Sequence, residues 1–175
     1  MKKLMNIALL VSGMIASTSL KAQDTEDKSK RPSPPALVTQ KIASGATITI
    51  DYSQPSVKGR TIGKDLEPME GQVWRTGANE ATVFESDKDL TIDGKKLPAG
   101  KYGLFTIFNG DDATVIFSKT WKQWGAFKYN EADDALRVKA DVEKASAPSE
   151  KMTFMISPEG KVDLMWGDKK MEFAV

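Results

Sequence analysis

Apolar and polar residues alternate with a period of two along most of this chain. In residues 47–52 (TITIDY), Ile48, Ile50 and Tyr52 share one side and Thr47, Thr49 and Asp51 the other, the pattern of a half-buried strand. Leu136, Val138, Ala140 and Val142 alternate with Arg137, Lys139, Asp141 and Glu143 in the same way, as do Met152, Phe154 and Ile156 with Thr153 and Ser157. Residues 102–108 (YGLFTIF) and 114–117 are apolar on both sides, which predicts central strands covered from both faces. Asp93-Gly94, Asn109-Gly110, Pro158-Glu159-Gly160 and Gly167-Asp168 interrupt these runs with hairpin chemistry, so neighbouring strands should pair antiparallel. Leu97-Pro98-Ala99-Gly100 suits a tight turn with a strand leaving at Lys101.

Helical signals are confined to a turn or two at residues 65–70 and 120–124. The expected fold is an all-β antiparallel β-sandwich of roughly 8–10 short strands, with a small β-barrel as the alternative. Residues 145–150 (ASAPSE) read as a surface loop before three last strands at 151–156, 161–166 and 169–175.

The first 22 residues depart from this pattern. Lys2 and Lys3, an apolar stretch at residues 4–15 and a small and polar exit at 17–22 read as a secretory signal peptide, too short in its apolar part to span a bilayer. Residues 23–35 (QDTEDKSKRPSPP) hold no apolar run and read as a disordered linker, leaving residues 36–175 as a single domain. The mature chain would then keep 22 basic and 24 acidic residues, a near-neutral balance that disfavours nucleic acid as a partner. Its expected home is the periplasm or the medium, with no transmembrane segment in the mature chain.

The chain has no Cys and no His. Ser-His-Asp and Cys-His catalysis and His-held zinc or haem are thereby excluded, and an exported fold without disulfides must stand on its core. No cofactor and no metal site is expected. The acidic clusters at Asp87/Asp89, Asp111-Asp112 and residues 131–134 lack the spacing of a calcium loop, and residues 59–65 (GRTIGKD) lack the spacing and the Ser/Thr of a phosphate loop.

Two constellations remain as candidate ligand sites. In residues 74–80 (WRTGANE), Arg75 offers a bidentate fork for an anion, with Asn79 and Glu80 beside it; the structural alternative is an Arg75–Glu80 pair that locks the loop. In residues 120–129 (TWKQWGAFKY), Trp121 and Trp124 offer rings on which a planar ligand or sugar stacks. The alternative there is a hydrophobic plug on a helical turn, each indole N–H meeting a carbonyl. A third loop, residues 52–60, gathers hydroxyls with Lys58 and Arg60, but adjacency of Ser53 or Ser56 to Lys58 is poor evidence for a nucleophile pair.

Several motifs occur together in order: Pro32-Ser33-Pro34-Pro35, Asp51-Tyr52-Ser53-Gln54-Pro55, Lys58-Gly59-Arg60, residues 73–82 (VWRTGANEAT), residues 97–102 (LPAGKY) and residues 121–127. Through them the chain resembles, over about residues 31–140, a bacterial domain-of-unknown-function family, number 2911. The resemblance implies an exported bacterial protein and assigns no activity, cofactor or catalytic residue. The expected function is a non-catalytic binding or envelope-associated module whose partner is a small molecule, a glycan or an envelope protein. The alternative is a carboxylate-based hydrolase of envelope glycan, with Glu80 and a partner such as Asp51.

Overall fold

The computed structural model describes residues 26–175; the expected signal peptide lies outside the described residues. Nine strands form among them: β1 (Pro35–Lys41), β2 (Thr47–Ser53), β3 (Thr82–Ser86), β4 (Leu90–Ile92), β5 (Lys95–Leu97), β6 (Gly100–Asn109), β7 (Asp112–Ser118), β8 (Asp134–Ile156) and β9 (Lys161–Ala174). The fold is all-β and antiparallel, as the alternation requires. Seven strands make one curled sheet in the order β1-β2-β3-β6-β7-β8-β9, and β4-β5 is a separate hairpin.

The inward set is the one the period of two selects. Ile48 and Ile50 are fully enclosed, Tyr52 nearly so, and Val138, Ala140, Met152 and Phe154 point into the same core. Phe84, Phe117 and Phe173 join it through edge-to-face ring contacts. β6 is buried on both sides. Leu104 belongs to the main core, whereas Phe105 packs with Ile116 and Ala81 in a second cluster roofed by Val73, Ala126 and Tyr129. That roof brings the two candidate loops onto the outer face of the sheet.

Nine strands fall within the expected number, but the end of the chain corrects the expected division into a loop and three last strands. Residues 145–150 are not a loop and Gly167-Asp168 is not a hairpin turn; β8 and β9 run through both as one long hairpin. Its register shifts between Lys144 and Ser149 and again before Thr153, so the hairpin bends rather than breaks. Gly167 sits opposite Ser149 with φ +59, the left-handed region that favours glycine, and a Cβ there would force Ile62 Cδ1 to shift. Beyond the bend the hairpin closes over the start of the sheet, where Met152 N–H donates to Pro55 O and Val57 N–H to Glu150 O.

No helix forms at 65–70 or 120–124. Residues 79–81 and 123–125 pair instead, through Ala81 N–H to Gln123 O and Gly125 N–H to Asn79 O. The helical content of the described residues is two 3-10 turns, Lys28–Lys30 and Glu131–Asp133.

Candidate functional site

Asp51 on β2, Val83 on β3 and Gly103 on β6 lie side by side across the outer face of the sheet. A Cβ on Gly103 would stand 3.2 Å from Thr120 O and 3.3 Å from Trp121 Cα. Glycine therefore lets the 120–129 loop rest directly on the sheet, with Trp121 beside Asp51. The space between loop and sheet is an open cleft of about 460 Å³, lined by Asp51, Tyr52, Val83, Glu80, Trp121 and Gln123 among others. Its walls are largely apolar, with a few polar groups converging, as in small-molecule sites.

The segment 74–80 is held rigidly. Trp74 is buried and donates its indole N–H to Gly77 O, while Thr82 Oγ1 donates to Thr76 O. Gly77 admits no side chain, because a Cβ would stand 2.9 Å from Thr82 Oγ1. This frame aims Glu80 into the cleft.

Glu80 does not pair with Arg75. Its Oε1 meets Lys28 Nζ at 2.9 Å and its Oε2 meets Arg31 Nη1 at 2.8 Å. Both cations come from the segment read as a disordered linker, of which residues 26–35 are described. They carry the first 3-10 turn, and Asn79 Nδ2 donates to Ser33 O at 2.9 Å. Arg31 also binds Glu26 and lies 5.7 Å from the Trp124 ring centroid. Burial pushes the Glu80 carboxyl up, but hydrogen bonds from Lys28 and Arg31 outweigh it and hold the group below its ordinary range. Asp51 in the same cleft goes the other way: burial raises it, the Glu80 charge adds to the rise, and Lys28 and Lys101 only partly oppose.

Arg75 does not pair with Glu80. It lines a second cavity of about 190 Å³ and makes no ion pair to the described residues, so a structural Arg75–Glu80 lock does not exist.

The tryptophans divide. Trp74 and Trp166, 2% and 3% exposed, are the plugs, and their indole N–H groups donate to Gly77 O and Glu67 O. Trp124 is 55% exposed and Phe127 86%. Trp121 is half-buried beside the cleft, with Lys122 Nζ 4.8 Å and Lys101 Nζ 5.6 Å from its ring centroid. The helical spacing that suggested a plug is void because the loop is extended.

Gln123 was not singled out by its sequence context. Its Nε2 donates to Thr120 O at 2.8 Å, which fixes the orientation of the amide, and its Oε1 is enclosed without a donor while the residue lines the cleft. Only its place among the aromatics pointed to it. Among the described residues no three potential metal ligands cluster, and no helix is long and apolar enough to cross a membrane.

A family model described as a protein of unknown function (DUF2911) matches residues 33–175. The chain belongs to the DUF2911 family. The match extends the resemblance beyond residue 140 through the β8-β9 hairpin, so the bent hairpin is part of the DUF2911 domain. No curated protein and no solved structure gives a significant match.

Proposed function

We propose that this DUF2911 protein is an exported binding module that takes a neutral, hydroxyl-rich ligand of the glycan type in the cleft between Glu80, Asp51, Gln123 and Trp121. The observation that carries the reading is the convergence of Gln123, Asp51 and Glu80 with the Trp121 ring on one cleft. Gln123 Oε1 is enclosed without a donor, so a small shift that brings this acceptor to a ligand hydroxyl or amide N–H relieves a cost present in the free protein. The cleft's two acids, Asp51 and Glu80, stand against Lys28 and Lys122, which favours a ligand without net charge. The apolar walls suit the C–H face of a sugar ring.

Export rests on the leader read at residues 1–22. Mass spectrometry of the mature protein should then show an N-terminus near Gln23; an intact N-terminus in the cell extract overturns the export part of the reading.

Binding is tested by titrating neutral oligosaccharides, including N-acetylated ones, against wild type, Gln123→Ala and Asp51→Asn, with tryptophan fluorescence as the signal. Saturable binding in wild type that weakens about tenfold in Gln123→Ala is expected, the loss that follows when a ligand polar group is left unpaired. Equal affinity in all three proteins contradicts the site.

One observation favours the hydrolase alternative: Asp51 is pushed toward its neutral form while Glu80 is kept an anion in the same cleft, the division expected of an acid and a charged partner. Against it, two cations already occupy both Glu80 oxygens, which suits a fixed structural anion better than a nucleophile or base. Release of reducing ends from an envelope glycan, abolished in Asp51→Asn while binding persists, decides for the hydrolase.

A further inference from the structure

The second cavity lies between the 55–67 loop and the segment 74–78, bordered by Ser33 of the N-terminal arm and by Trp74 and Trp166. Two arginines line it, Arg60 and Arg75. Arg75 projects from the rigid frame, its Nε enclosed with no acceptor, and the charge that acts on it, Glu67, makes no hydrogen bond to it. Burial accordingly pulls the Arg75 guanidinium below its ordinary range, the direction expected of a cation without a close anion. Arg60 is steadied by its own loop: Nε donates to Val57 O at 3.1 Å and Nη2 to Ser56 O at 2.8 Å, which leaves Nη1 unengaged by the described residues. The carboxylate present, Glu67, accepts the Met69 N–H at 2.7 Å. Two positive groups against one negative group leave the cavity positive.

A cation taken from water without a partner is unfavourable, and a planar fork in a small cavity is the geometry that proteins use for carboxylate and phosphate. We propose that this cavity is an oxyanion site, in which Arg75 and Arg60 together hold one carboxylate or phosphate group. It is separate from the glycan cleft: Arg75 and Arg60 line this cavity and not the cleft, while Asp51, Glu80 and Gln123 line the cleft and not this cavity. The two indole edges are already satisfied by Gly77 O and Glu67 O, so the arginines supply the free donors. Lysine at position 75 would keep the charge and lose the fork.

The test is calorimetric titration of the purified protein with inorganic phosphate and, separately, with acetate, at an ionic strength held constant with chloride. Saturable heat with phosphate assigns a phosphate group, and saturable heat with acetate a carboxylate; either supports the site. Arg75→Lys is expected to weaken the observed binding about tenfold, because a point charge does not replace a bidentate fork. Arg60→Ala, at an exposed position, is expected to weaken it less. Circular dichroism confirms that each variant is folded. The proposal is overturned if neither anion gives more than the heat of dilution in wild type, or if Arg75→Lys and Arg60→Ala both bind as wild type does.

Discussion

Glu80 carries its carboxylate in an open cleft and meets two cations, whereas Arg75, five residues earlier on the same loop, carries its guanidinium in a small cavity and meets none among the described residues. The sequence places these residues close enough to suggest a pair. Hydrogen bonds of Trp74, Thr76 and Thr82 fix the segment, and Glu80 pairs with Lys28 and Arg31 while Arg75 borders a different cavity. The lesson is that charges a few residues apart on a loop with two positive-φ residues, Thr76 and Asn79, do not thereby share a site. A compensated charge and an uncompensated one also respond differently to removal, and that difference makes the comparison testable.

The largest effect is expected at a buried tryptophan plug. Trp166→Ala removes a ring that is 3% exposed and borders the Arg75 cavity, and should cost about 3–5 kcal/mol, whereas Trp124→Ala on the open side should change stability by no more than about 0.5 kcal/mol. Urea unfolding of both variants checks this, and equal losses would erase the distinction between plug and open ring. Arg75→Met comes next. A broken lock would cost about 3–5 kcal/mol, but an unpaired, half-buried cation exchanged for an apolar chain of similar length should leave stability unchanged or raise it by about 1 kcal/mol.

Glu80→Gln should lower stability at neutral pH by about 0.5 kcal/mol, since the pairs with Lys28 and Arg31 are partly exposed and screened. Because folding holds this carboxyl below its ordinary range, its contribution is present at neutral pH and is lost as pH falls through the folded-state value. Unfolding midpoints of wild type and Glu80→Gln should therefore converge on acidification. Asp51→Asn should act in the opposite direction and more weakly. Folding raises that carboxyl, so its charge opposes the fold at neutral pH. The variant should be more stable there, by no more than a few tenths of a kcal/mol after screening, and the gap should close as acid protonates Asp51. Opposite signs for two carboxyls in one cleft would be hard to obtain from unspecific surface charge.

Much of the fold was legible because burial in a sheet imposes a period of two, which Ile48, Ile50, Val138 and Phe154 obey. The long hairpin was not, because a bulge at Ser149 opposite Gly167 uses the same Pro, Ser and Gly residues as a loop. The site was legible in part. Glu80 and Trp121 were marked by their residue types, and Asp51 as a possible carboxylate partner; the cleft brings all three together. Lys28 and Arg31 were hidden in a segment whose composition reads as linker, since the acid they bind lies about fifty residues away. Gln123 was hidden because its significance is an acceptor left without a donor, a property of packing that composition does not carry.

The central claim, that the cleft is a glycan-type site built on Gln123 and Asp51, is tested most directly by following the Gln123 side-chain amide and the Trp121 indole N–H by NMR during an oligosaccharide titration. The account predicts saturable shifts at both signals with one common affinity, and little change at the indoles of Trp74 and Trp166. Saturable shifts confined to those two indoles, or a ligand that binds without moving Gln123, would contradict it.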